Sequence, residues 1–189
     1  MAGAGAEPSG ERRPDHGAAD LLRARFGAVY GECPVPVPVE GIAEDLLGLR
    51  VVAGDLGRKD GWSVSGVLDV GQRLLWVAAA EPDDRRRFTI AHEIGHWECH
   101  RDGRQQLCLF DAMPADGDGV EREANMFAAT LLMPADAVAD AHASLAREAG
   151  DDPAELVHHL AGLFRVSIPA MEWRLYNLQL GPRPTYEVP

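Results

Sequence analysis

Cysteine is scarce in this chain of 189 residues: Cys33, Cys99 and Cys108 are the whole supply. An odd count without a spaced framework excludes a disulfide-stapled fold and points to a reducing compartment. Long apolar runs are missing too. None reaches the roughly 18 residues that a membrane-spanning helix needs. Residues 1–17 are alanine, glycine, proline and charge, with no apolar stretch of the kind a secretion signal carries. A cytoplasmic location is the expectation, with residues 1–17 a disordered tail. Positive charge is in short supply: 18 Lys and Arg stand against 30 Asp and Glu, a net charge of −12. That balance argues against non-specific binding to nucleic acid or to anionic membranes. Lysine is almost absent, with Lys59 the sole example. Aromatic residues make up only 6%, yet 46% of the chain is hydrophobic. Such a chain can bury a sizeable core, in one domain with a small appendage.

The run Phe88-Thr89-Ile90-Ala91-His92-Glu93-Ile94-Gly95-His96 contains His-Glu-x-x-His. Residues four apart share a helix face, so His92 and His96 can offer two imidazoles to one metal ion. Glu93 stands beside them, within reach of a water on that ion. Two ligands and one general base form the core of a zinc hydrolase. At this chain's His and Glu frequencies the pattern arises by chance with a probability of roughly 2%, so context matters. The context is apolar: Phe88, Ile90, Ala91, Ile94 and Gly95 surround the motif. A helix that buries histidines among such neighbours needs partners for their polar atoms.

Periodicity and punctuation order the rest. A helix is expected over about 18–29. Cys33-Pro34-Val35-Pro36-Val37-Pro38 must be extended, because alternating prolines forbid helix. A short helix with Ile42, Leu46 and Leu47 stops at Gly48. Leu49 to Ala53 reads as a strand, and 54–61 as a polar loop. Val64–Val70 and Leu74–Ala79 read as a hairpin about Gly71-Gln72. The motif helix starts at Glu81-Pro82-Asp83-Asp84, with acidic side chains at the positive end of the dipole, and ends near 101–103. Residues 103–118 read as a loop. Helices follow over about 119–133, 135–149, 152–164 and 168–178, the last after a Ser167 N-cap.

A catalytic zinc site takes three protein ligands and leaves one position open. His100 is on the motif helix but lies about 12 Å along its axis from His92, too far to share an ion easily. Its simpler role is a helix C-terminal histidine, paired with the dipole or a carboxylate. Glu121 on the next helix is the better third ligand. Ala124 and Ala128 are small and would let that helix come close. Asn125, one turn on from Glu121, could then hold a ligand imidazole from behind. Glu123 reads as part of a solvated first turn.

Arg87-Phe88-Thr89-Ile90-Ala91-His92-Glu93-Ile94-Gly95-His96, followed by Glu121-x-x-Ala124-Asn125-x-Phe127-Ala128-Ala129-x-Leu131-Leu132-Met133-Pro134, resembles the ImmA/IrrE metallopeptidases. The resemblance covers roughly residues 35–180. It implies a small α+β, gluzincin-like fold, with a short three-stranded sheet packed on the active-site helix and a mostly helical C-terminal half. It implies a metallopeptidase domain over 18–150, a helical unit over 151–181 packed on it, and a tail at 182–189. It implies His92, His96 and Glu121 as ligands of one Zn2+ per chain, with Mn2+ or another divalent ion as the alternative, and Glu93 as the base. The implied substrate class is helix-turn-helix repressors, cut to relieve repression of a mobile element, a toxin–antitoxin pair or a stress response. Two departures stand out. Many relatives carry an N-terminal DNA-binding unit, which is not evident here. Cys99 stands before His100, where an apolar residue is usual.

Weaker signals remain open. His142, His158, His159 and Tyr176 are candidates to stabilise an oxyanion, though each reads more simply as surface or structure. Cys99 and Cys108 read as small buried hydrophobes rather than auxiliary ligands or redox sensors. The strand Leu74–Val77 could pair with extended substrate if it lies at a sheet edge. Residues 160–171 have the look of a helix-turn-helix, but 152–181 hold only Arg165 and Arg174 as basic residues, against three acidic ones. A DNA-contacting helix needs more positive charge, so this unit reads as a packing or protein-docking element. The rival class is a regulator that binds a repressor or DNA without hydrolysis, its metal structural. Glu93 favours the enzyme, because a purely structural site has no use for it.

Overall fold

In the computed structural model, residues 16–100, 106–109, 119–147 and 152–186 are described, with 16 and 106–109 described by their backbone alone. The first helix, α1 (His16–Tyr30), turns Ala19, Leu22 and Phe26 into the core and leaves Leu21 and Val29 exposed. It takes in His16 and Gly17 from the segment expected as tail; residues 1–15 lie outside the described residues. The proline-rich stretch is irregular, as alternating prolines require. It leads into α2 (Val39–Gly41), which continues as a π-helical turn, Ile42–Leu46. Gly48 then adopts a positive φ of 64° and ends the helix.

Among the described residues, five strands form the sheet: β1 (Arg50–Gly54), β2 (Arg58–Lys59), β3 (Trp62–Asp69), β4 (Leu74–Ala78) and β5 (Gln106–Leu109). The three expected strands are its centre, in the order β1-β4-β3. The β3–β4 hairpin pairs Gly66 with Val77 and Leu68 with Leu75. β1 runs parallel to β4, with Val51 opposite Leu75. Two short strands from segments expected as loops add to β3: β2 at Trp62 and Ser63, β5 from Val64 to Leu68. The β3–β5 register shifts between Val64 and Gly66. One expectation is overturned. β4, offered as an edge strand for extended substrate, lies between β1 and β3, so both its hydrogen-bonding edges are used.

Strand periodicity turns Leu68, Leu75 and Val77 inward. There they meet Ile90, Ala91 and Ile94 of α3 (Asp83–Cys99), the motif helix. Burying each large aliphatic side chain is worth roughly 1.5–3 kcal/mol, so this layer fixes the helix on the sheet. Asp83 and Asp84 occupy the first turn of α3, and His100 is its C-cap. Buried Arg87 donates through Nη2 to the Val37 carbonyl at 2.9 Å, tying the proline-rich segment to α3.

The C-terminal half is helical: α4 (Gly119–Leu132), α5 (Ala135–Leu145), α6 (Pro153–Phe164) and α7 (Ile168–Asn177). α5 is shorter than its expected span of 135–149. Asp152 caps α6 by accepting from Ala154 N at 2.9 Å, and Ser167 caps α7 by accepting from Ala170 N at 3.3 Å. Between α6 and α7, Arg165 takes a left-handed conformation with φ 52°. Leu160, Phe164, Met171 and Leu175 belong to the same core as α3 and the sheet. Buried Arg174 donates through Nε to the Met133 carbonyl at 2.8 Å, and Arg165 pairs with Asp83 at the start of α3. Among the described residues, no helix is long and apolar enough to cross a membrane.

Candidate metal centre

The centre lies where α3 and α4 touch, and a glycine makes the contact close. A Cβ on Gly95 would sit 3.1 Å from Cα of Ala124 and 3.2 Å from Cβ of Phe127. Only a residue without a side chain lets α4 approach this far, and Ala124 answers it with a methyl. The short separation brings the Glu121 carboxylate to the two motif histidines.

His92 and His96 are each 2% exposed, so the motif is no surface accident. Their Nε2 atoms face each other at 3.0 Å. Glu121 bridges them, with Oε2 3.1 Å from His92 Nε2 and Oε1 3.3 Å from His96 Nε2. A tetrahedral ion with bonds of about 2.0–2.1 Å holds its donor atoms about 3.3 Å apart. The three side chains therefore stand at nearly the spacing that one ion demands. Among the described residues, these are the three His, Cys, Asp or Glu side chains whose donor atoms converge in this way, all within 4.8 Å of one another. Burial tends to raise the pKa of the Glu121 carboxyl, but hydrogen bonds and charge from His92 and His96 outweigh it and hold the group well below the usual carboxylate range. An ionised carboxylate and two imidazoles are the donor set of a His2Glu zinc site.

Asn125 sits behind His92. Its Oδ1 lies 2.8 Å from His92 Nδ1. With an acceptor there, Nδ1 carries the proton and Nε2 keeps its lone pair for an ion. Asn125→Ala should weaken zinc binding by about 10–100-fold, as loss of such a partner usually does. Competition against a chelator of known affinity measures this, and unchanged affinity would remove Asn125 from the role. His96 Nδ1 is buried and has no comparable partner among the described residues.

Glu93 differs from the other three. It is 0% exposed, and neither carboxylate oxygen has a hydrogen-bond partner among the described residues. Burial pushes its pKa up to about 7; the His96 charge opposes the shift and the Glu121 charge adds to it. Two unpaired carboxylate oxygens at no exposure are costly, and a fold keeps such a group only where something compensates. A water shared with a bound ion would do so.

The remaining candidates separate cleanly. His100 caps α3 and pairs through Nε2 with Glu123 Oε2 at 2.8 Å, so both stand apart from the three converging donors. His158 and His159 are exposed on α6, and Tyr176 packs on Trp173 of α7. Among the described residues, no hydrogen bond or ring contact joins these three, or His142, to the centre. Cys99 is half-buried at the end of α3; Cys108 lies in β5, outside the described side chains. A separate cavity of about 1030 Å³ opens between α1, α4, α5 and α7, and none of His92, Glu93, His96, Glu121 and Asn125 lines it. The sequence alone did not point to Gly66 of β3, whose Cα faces the Glu93 carboxylate. A glycine inside a strand is only a weak sign of close approach.

A mixed α+β fold in which two helices bring His, His and Glu together, with a second Glu beside them, defines a metallopeptidase-like domain. The chain matches the family model described as the IrrE N-terminal-like domain of the peptidases over residues 44–176, and it belongs to that family, ImmA/IrrE. No curated protein matches it. Among solved structures, a Mycobacterium tuberculosis transcriptional regulator is similar, with 21% identity and a TM-score of 0.57. The alignment covers 89% of this chain and 48% of the regulator, so the chain spans about half that protein's length. At this identity the likeness is one of fold.

Proposed function

We propose that this protein is a zinc-dependent endopeptidase, and that its substrate is a helix-turn-helix transcriptional repressor whose cleavage relieves repression in the cytoplasm. The observation that carries the reading is Glu93. It is no ligand in the converging set, yet it lies fully buried and unpaired beside it. A structural metal has no use for a buried carboxylate that is not one of its ligands. When bound, the ion supplies the Lewis acidity that acidifies water and polarises the scissile carbonyl. Glu93 takes the proton of the attacking water on its carboxylate and returns it to the leaving amine. In the metal-free protein burial raises the Glu93 pKa to about 7, which favours its holding a proton between the two transfers. His92 and His96 keep their Nε2 lone pairs for the ion, and Asn125 orients the first of them.

The repressor is proposed on family resemblance, and co-expression tests it. Wild-type protein produced with the repressor encoded beside its gene should yield two repressor fragments, and the Glu93→Gln protein should leave it whole. An intact repressor in both strains would sink the substrate assignment. Fragments in both would sink the chemistry.

A further inference from the structure

No hydrogen bond among the described residues orients the Glu93 carboxylate. A side chain with three rotatable bonds then takes its direction from packing. Its neighbour across the helix–sheet interface is Gly66 of β3. A Cβ built on Gly66 would lie 2.5 Å from Cγ2 of Thr89, 3.1 Å from Oε1 of Glu93 and 3.4 Å from the Trp76 carbonyl oxygen. The first distance is a collision and the second is tighter than ordinary contact. Gly66 is not among the residues with positive φ, so backbone conformation does not demand a glycine there. Thr89 is fully buried one turn before Glu93, on the same face of α3. The register irregularity of β3 against β5 also ends at Gly66. Bulges of this kind re-aim a strand beside a site.

We propose that Gly66 is a positioning residue for Glu93: its missing side chain is the recess that seats the Glu93 carboxylate and the Thr89 methyl. The inference rests on Glu93 being the base of a peptidase. Adding a methyl at 66 pushes Thr89 and Glu93 away from the sheet; the three atoms nearest to it belong to Thr89, Glu93 and Trp76, not to His92, His96 or Glu121. Gly66→Ala should keep about one zinc per chain and lower kcat by roughly 10–100-fold, with KM little changed, as a displacement near 1 Å does. Thr89→Ser removes Cγ2, the atom struck first, so G66A/T89S should recover a large part of that loss. A second readout needs no activity. In thermal melts of the metal-free protein, the drop caused by Gly66→Ala should shrink in the Thr89→Ser and Glu93→Ala backgrounds. Wild-type cleavage rates in Gly66→Ala, or melting shifts that simply add, would overturn the proposal. Coupled melts in a wild type that cleaves nothing would end the peptidase reading and uphold the seating of Glu93. Should Gly66→Ala fail to fold, G66A/T89S is the test, and its failure to fold as well would overturn the proposal.

Discussion

His92→Ala should abolish binding of a divalent ion, zinc in the reading proposed above. The substitution removes one of three donors that stand 3.0–3.3 Å apart and leaves an imidazole and a carboxylate to hold the ion. Loss of affinity should far exceed the about 10–100-fold that an outer partner costs. Glu121→Gln keeps the shape of the third donor but replaces an ionised carboxylate with a neutral amide, and it should lose the ion as well. Elemental analysis after dialysis against a weak chelator reads both variants beside wild type, which should hold about one ion per chain. Full occupancy in both variants would dismantle the centre. Full occupancy in Glu121→Gln alone would transfer the third position to Glu123 or His100, against their pairing with each other at 2.8 Å.

Glu93→Gln should divide binding from chemistry. Size and ligands are unchanged, so zinc should stay, while cleavage should fall by at least about 100-fold, the usual worth of a general base. Equal cleavage by Glu93→Gln and wild type would refute the mechanism. The same variant carries a stability prediction with a definite sign. The folded metal-free protein holds the Glu93 pKa at about 7, above its ordinary value of 4.5. A raised carboxyl pKa means that the fold tolerates the neutral acid and resists the anion. Below pH 4.5 the group is neutral in both states and costs nothing by ionising. Between pH 4.5 and 7 the unfolded chain ionises first, and stability drains away. Above pH 7 the whole penalty is present, about 3 kcal/mol at most. Metal-free Glu93→Gln should therefore melt higher than metal-free wild type at pH 8, and the gap should close towards pH 4.5. A gap that stays constant with pH would mean that Glu93 has the same pKa in the folded and the unfolded chain, so that burial does not raise it.

The sequence alone determined whatever rests on neighbours along the chain. His92 and His96 share one helical face because helix geometry places residues four apart together, whatever surrounds them, and Glu93 follows His92 directly in the chain. The proline-rich segment, the N-cap Ser167 and the stop at Gly48 are equally local, and each stands where its chemistry requires. Glu121 was legible for another reason: Ala124 and Ala128 marked a helix able to come close, although only a resemblance of pattern tied it to the motif. Short pairing segments carried too little periodicity to be seen. β2 has two residues and β5 four, and each is a strand only because β3 lies beside it. The edge or centre of a sheet is likewise not written in a strand. Leu74–Ala78 looks the same in either place, and the parallel pairing of β1 put it in the middle. The tertiary structure alone decided how Glu93 is held. Its carboxylate meets a glycine 27 residues earlier in the chain, and no local rule connects a helix to the strand that happens to pack beneath it. The sequence named His92, Glu93 and His96 because spacing on one helix is enough to assemble them. Aiming them required surfaces from distant segments, and those meet only when the core closes.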